Sequence, residues 1–225
     1  GGLVSALSSY FERDASRTFD SKLWVGSADF PEKRWAKYSQ NPQELPFAIE
    51  PIFIDAKVYN KYYNCFCNAT LWPLLHYFIT YTVFDEESLR YYEQVNQQFA
   101  DRLAALVKPG DTVWIHDYQL FLVPGLLREK VPDVSIGFFL HIPFPSFEIF
   151  RLLNRQWKEK ILRGMLGADL IGFHTHEYVQ HFLKTVRMSL GYDHQYRAVA
   201  VEDRIVKTDL FPLGIDFEKF HGAAQ

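Results

Sequence analysis

The 225 residues, 48% hydrophobic and 23% charged, are enough to bury a substantial apolar core and exclude a disordered chain. A formal net charge of −3 with no block of Lys or Arg offers no basic field to nucleic acid or to an anionic membrane, so an anionic ligand has to be held locally. Cys65 and Cys67, the only cysteines, stand too close together to staple a domain of this size, which points to the cytosol.

In chain order, the opening residues GGLVSALSSYFERD lack the basic flank and long apolar core of a signal peptide, and no apolar run reaches the ~18 residues that span a bilayer. Leu3, Leu7, Tyr10 and Phe11 suit one face of an amphipathic helix, followed by a strand near Leu23–Val25 and a polar loop to Pro46. From Glu87 to Val107 the apolar residues Leu89, Tyr92, Val95, Phe99, Leu103 and Leu106 recur by threes and fours, which predicts a helix stopped by Pro109-Gly110. Strands are then expected at Thr112–His116 and Val134–His141, with a helix over Leu122–Val131 between them. A helix from Trp157 to Ala168, a strand from Leu170 to His174 and a helix from Glu177 to Leu190 closed by Gly191 repeat the rhythm. Val199–Val201, Ile205–Lys207 and Leu210–Pro212 read as short strands, and FPLGIDFEKF as a turn and a short helix. Alternating short apolar runs and amphipathic segments specify an α/β domain with a Rossmann-like parallel sheet covered by helices on both faces. No linker or repeat divides the chain, so one domain over residues 1–225 is expected. The glycine turn at its start has no strand before it, which predicts that a first strand precedes residue 1.

Ligands of open α/β sheets gather beyond the carboxyl ends of the strands. Here those ends are polar: TVWIH runs into Asp117, Tyr118 and Gln119, and VSIGFFL into His141 and Pro143-Phe144-Pro145. Asp and His can each hold sugar hydroxyls at set angles, although Asp117 equally suits a helix N-cap. Tyr62–Tyr77 carries Tyr63 and Trp72, for which core packing competes with stacking on a sugar face. Cys65 and Cys67 have no second pair or neighbouring His at ligand spacing, so no metal is expected. Gly1-Gly2 opening a helix could offer amides to a phosphate; His174 and His176 are either ligands or neighbours of a Thr175 cap; Trp24 suits the core.

Taken in order, GGLVSAL, YYN…LWP, WIHDYQL, FFLHIPFPSFEIFR and DLIGFHT resemble the N-terminal signatures of the trehalose-6-phosphate synthases over nearly the whole chain. The resemblance implies the N-terminal half of a GT-B fold, with the active site in the cleft between two Rossmann-like domains. It implies transfer of glucose from UDP-glucose to glucose-6-phosphate with retention, without a metal ion or other cofactor. By motif, Tyr63, Trp72, Asp117 and, in Leu23-Trp24-Val25-Gly26, Trp24 correspond to acceptor-binding residues. His141 corresponds to the residue beside the donor glucose, and with Asp117 to the catalytic rim; Gly1 and Gly2 correspond to the turn that approaches the donor diphosphate. In such a retaining site the leaving phosphate takes the acceptor's proton, and no carboxylate nucleophile is expected. The family's first strand, with an arginine for the acceptor phosphate, and its donor-binding domain, with the Arg and Lys that face the diphosphate, are not in this chain, so the chain alone is expected to be inactive and to bind glucose-6-phosphate weakly. A sister transferase with another acceptor and a non-catalytic sugar-phosphate sensor are the alternatives, and homo-oligomerisation stays open.

Overall fold

A computed structural model describes residues 7, 19–28, 30–39, 47–212, 214 and 221–222. The predicted opening helix, apart from Leu7, the Gly1-Gly2 turn and, within FPLGIDFEKF, residues 213 and 215–220 lie outside the described residues. The chain divides into two compact units, one comprising residues up to Ile54 with those after Pro212, the other Asp55–Pro212.

In the first unit, β1 (Leu23–Ala28) pairs in parallel with β2 (Ala48–Phe53), Trp24 opposite Ile49 and Gly26 opposite Pro51. The short helix α1 (Glu32–Tyr38) lies between them in sequence. β1 agrees with the expected strand; β2 was not anticipated, because Pro51 and Glu50 break the apolar pattern.

The second unit is built on a six-stranded sheet, order β3 (Thr112–His116), β4 (Ser135–Phe139), β5 (Leu170–Phe173), β8 (Arg204–Leu210), β7 (Ala198–Val201), β6 (His194–Gln195). The first four are mutually parallel and the last two join as antiparallel ribbons. Of the two strands read from sequence at Ile205–Lys207 and Leu210–Pro212, the first and Leu210 belong to the single strand β8, and Phe211 and Pro212 lie beyond its end. Its polar middle does not interrupt it, because the buried Thr208 donates its hydroxyl to Arg197 O at 3.0 Å and Asp209 pairs with Arg197.

Four helices fall where periodicity and caps place them, and a fifth, short one at Phe147–Phe150 was not anticipated. Asp85 caps α4 (Glu86–Leu106) through the amides of Glu87 and Ser88, and α4 buries Leu89, Tyr92, Val95, Phe99 and Ala100. α5 (Val123–Lys130) follows β3. α7 (Arg155–Met165) follows the four-residue α6 (Phe147–Phe150), and α8 (His176–Leu190) is capped by Thr175 and ends at Gly191 in the left-handed conformation, φ 76°. A methyl on Gly164 would stand 2.5 Å from Phe121 O, so the backbone entering α5 packs directly on α7. None of the helices among the described residues is long and apolar enough to cross a membrane.

Between β2 and α4 the chain forms one continuous helical run: α2 (Ala56–Tyr59), a π-helix over Asn60–Leu71 and α3 (Trp72–Leu75). A π-helix of this length is unusual, and such wide turns collect at functional sites. Its buried residues Tyr62, Phe66, Cys67, Thr70 and Leu71 recur by fours and fives. That spacing suits the wider turn, and it leaves the intervening Tyr63, Asn64 and Asn68 off the core face.

Candidate active site

The candidate site lies at the carboxyl ends of β3, β4 and β5. Immediately after β3, Asp117 adopts φ 73° and ψ 170°, a region that essentially only glycine occupies freely and that costs about 1–3 kcal/mol for other residues. Such strain persists only where the surroundings impose it. The Asp117 N–H donates to Phe139 O at 2.8 Å, extending the β3–β4 ladder, and its carbonyl accepts from Leu120 N–H at 3.1 Å.

The loop beyond is held from α4. Tyr92 donates its hydroxyl to Tyr118 O at 2.7 Å and accepts from Phe121 N–H at 3.1 Å. Asn96, one turn later, donates to Gln119 O at 3.0 Å and accepts from Leu122 N–H at 3.1 Å. Tyr62 Oη adds a bond to Gln119 O at 3.2 Å, and Tyr118 Oη donates to Asn68 Oδ1 at 2.9 Å. Burial pushes the Tyr92 and Tyr62 phenols well above their ordinary range, which keeps them as neutral donors. Tyr92 and Asn96 are completely buried, so the loop's polar backbone is satisfied by protein rather than by solvent.

Asp117 stands at the N-cap position of the following 3₁₀ turn but makes no capping hydrogen bond; its Oδ1 instead accepts from His141 N–H at 3.2 Å. The expected strand Val134–His141 ends at Phe139, which places His141 in the loop after it. The His141 Nε2 lies 3.0 Å from His116 Nδ1, the last residue of β3. His174, just past β5, approaches the His141 ring edge to face at 5.8 Å, and Phe139 packs against both imidazoles at 4.6 and 5.1 Å. The Pro-bounded segment after His141 is anchored by Phe144, buried among Phe150, Phe173 and Phe182, and by Ser146 N–H donating to Tyr77 Oη at 2.9 Å.

Burial dominates the electrostatics. It raises the Asp117 carboxyl to about 6 against the pull of facing backbone amides, lowers His116 to about 3 and His141 to about 4, and lowers His174. At neutral pH the rim therefore holds one carboxylate and three uncharged imidazoles. No group of three or more His, Cys, Asp or Glu among the described residues could hold a metal ion. Such a rim can accept hydrogen bonds from hydroxyls at Asp117, and the His116–His141 pair, which spends one donor and one acceptor on its own bond, leaves one donor and one acceptor between the two rings, a set suited to a polyol.

Asp117 and His141, singled out from the sequence, are thus brought into direct contact. Tyr63 stacks on Tyr59 at 5.3 Å and lies within electrostatic reach of Tyr118. Trp72 is 39% exposed and stacks on His76 at 4.1 Å, so it is not a core residue; Tyr77, which follows His76, is the residue that holds Ser146. Trp24, in the first unit, lines an apolar cavity of about 290 Å³ with Phe30, Phe47 and Ile49. Gly1 and Gly2 lie outside the described residues. Thr175 does cap α8, accepting from Tyr178 N–H at 3.3 Å, and His174 beside it faces His141. Tyr92, Asn96, Asn68 and Tyr77 were not anticipated. The available signal was Asn96, a polar residue on the apolar face of a helix, which is where a buried hydrogen-bonding role is expected.

Glycosyltransferase family 20 matches residues 1–225 from end to end. The chain is 40% identical to the bifunctional trehalose-6-phosphate synthase/phosphatase of Thermoproteus tenax, over 100% of the chain and 31% of that protein. It is 42% identical to alpha,alpha-trehalose-phosphate synthase [UDP-forming] 2 of Aspergillus niger, over 98% of the chain and 45% of that protein. The chain therefore spans about a third to a half of the length of these relatives. Among solved structures, one described as trehalose-6-phosphate from E. coli bound with UDP-2-fluoro glucose superposes with a TM-score of 0.83 at 28% identity, covering 100% of this chain and 48% of that one. The Candida albicans trehalose-6-phosphate phosphatase N-terminal domain superposes at 0.80 with 30% identity, covering 90% of this chain and 43% of that one. These likenesses bear out the Rossmann-like α/β fold of GT-B type expected from the motifs. With a match along its full length and relatives at 40–42% identity over nearly all of it, the chain belongs to glycosyltransferase family 20.

Proposed function

We propose that this chain is the N-terminal, acceptor-side domain of a trehalose-6-phosphate synthase, which transfers glucose from UDP-glucose to glucose-6-phosphate in the cytoplasm. The observation that carries the reading is the contact between Asp117 and the His141 N–H on adjacent strand ends, with Asp117 held in a strained conformation. Strain imposed by a dedicated set of buried hydrogen bonds is a mark of function rather than of folding.

In this reading Asp117, ionised at neutral pH, accepts hydroxyls of the acceptor sugar, while Tyr63, Trp72 and Trp24 offer aromatic faces and polar edges to the phosphosugar. His141, neutral, sits beside the donor glucose and the reacting carbon. Gly1 and Gly2 bring amides to the diphosphate. The leaving phosphate accepts the acceptor's proton on the face from which it departs, and its charge is stabilised by amides and by cations outside this chain rather than by a metal ion.

The test is Asp117→Ala in the full-length protein, followed by UDP release with and without glucose-6-phosphate. Acceptor-dependent turnover is expected to fall by about 10²-fold or more, with UDP-glucose binding nearly unchanged. Equal losses on donor and acceptor would sink the assignment. A non-catalytic reading draws support from the likeness to the Candida albicans domain, whose name carries a phosphatase rather than a synthase. It would be favoured by glucose-6-phosphate binding without any UDP release.

A further inference from the structure

His141 and His116 are held very differently. His116 is the last residue of β3, in register with Phe139, and its ring packs at 4.4 Å on Trp114, two residues back on the same face. His141 lies in a loop and is tied by its backbone N–H to Asp117. The described residues leave its ring one hydrogen bond, from Nε2 to His116 Nδ1 at 3.0 Å. The rigid strand thus orients the loop imidazole.

We propose that His116 is a positioning residue that fixes the tautomer of His141: His141 Nε2–H donates to His116 Nδ1, so that His141 presents an unprotonated Nδ1 to substrate. A single hydrogen lies between the two nitrogens, so the arrangement has two alternatives. With His141 donating, both rings carry their remaining hydrogens on Nε2, the more stable tautomer of a free imidazole. With His116 donating, both rings are forced into the Nδ1–H form. Both neighbouring imidazoles are uncharged near neutral pH, which suits a neutral hydrogen bond, and Asp117, the only carboxylate in this contact set, engages the His141 backbone instead. An Nδ1 lone pair accepts from a sugar hydroxyl, whereas in the other tautomer Nδ1–H can only donate to the hydroxyl oxygen, which reverses the direction of the bond.

The proposal rests on the reading of His141 as a substrate-facing residue, and the experiment separates the two. The full-length protein, labelled with ring-¹⁵N histidine, is examined by long-range ¹H–¹⁵N correlation together with steady-state kinetics. In the unaltered protein His141 is expected as a single Nε2–H tautomer. His116→Asn keeps an acceptor oxygen near the position of Nδ1 and is expected to preserve that signature. His116→Phe keeps an aromatic ring without the acceptor and is expected to give a mixture of tautomers. In the same variants kcat/KM is expected to drop roughly tenfold to a hundredfold for Phe and to recover largely for Asn. An Nδ1–H tautomer in the unaltered protein, or a His141 signature indifferent to His116→Phe, overturns the proposal. If the tautomer shifts in the Phe variant while turnover does not, His116 keeps its positioning role and the substrate-facing role of His141 is what fails.

Discussion

Replacing Asp117 by glycine and by alanine isolates the strain at the centre of the site. Both variants remove the carboxylate, its burial and its bond to the His141 N–H; they differ only in whether a Cβ must be carried at φ 73° and ψ 170°. That conformation costs a residue with a Cβ about 1–3 kcal/mol. Glycine returns about 0.4–1 kcal/mol of this through its greater freedom in the unfolded chain. Asp117→Gly is therefore expected to be more stable than Asp117→Ala by roughly 0.5–2 kcal/mol, although both lose acceptor use. Urea unfolding read as a shift in midpoint at constant slope measures the difference directly. Asp117→Gly at or below the stability of Asp117→Ala would mean that the loop relaxes when the carboxylate leaves and that the strain is not imposed by the fold.

Acid titration and the buried hydroxyl of Tyr92 supply two further tests. With Asp117 raised from 3.8 to about 6 in the folded state, the native protein binds the extra proton, so this group's contribution is full below about pH 4 and is lost as pH rises through 6. It is worth at most about 3 kcal/mol; Asp117→Asn is expected to flatten that part of the stability profile. His116 and His141 act in the opposite sense, because their folded values near 3 and 4 lie below the ordinary 6.5, and stability is lost as pH falls below 6.5. The two windows overlap, so the difference between the unaltered protein and Asp117→Asn, followed by unfolding at pH 4.5, 6 and 7.5, isolates the carboxyl's slope, and an unchanged profile in Asp117→Asn would refute its assignment. Tyr92→Phe strands the Phe121 N–H and removes the donor to Tyr118 O, an expected loss of about 1–3 kcal/mol in chemical unfolding. Acceptor use is expected to weaken in the same variant; normal kinetics would show that the loop keeps its shape without that hydroxyl.

Most of the secondary structure of the second unit was legible because it is encoded within short windows. The threes and fours of Leu89, Tyr92, Val95 and Phe99, the Thr175 cap and the Gly191 stop are local instructions that the fold obeys. The ends of the expected strands likewise put Asp117 and His141 just past β3 and β4, where ligands of open α/β sheets collect. The π-helical run at 60–71 was not legible, since a helix adopts the wider turn through the surface it packs against. Nor was β2, whose Pro51 reads as a breaker until its partner Gly26 is in place.

By itself, then, the amino-acid sequence determined the βα rhythm, the strand-end rim that carries Asp117 and His141 and, through its motifs, the family. Only the tertiary structure decided how that rim is configured. The left-handed twist at Asp117, the bonds from Tyr92 and Asn96 beneath it and the His116–His141 pair link residues some 25 positions apart. Local preference opposes the first of these and is silent on the others. They exist because burial leaves each polar group the choice of that partner or none.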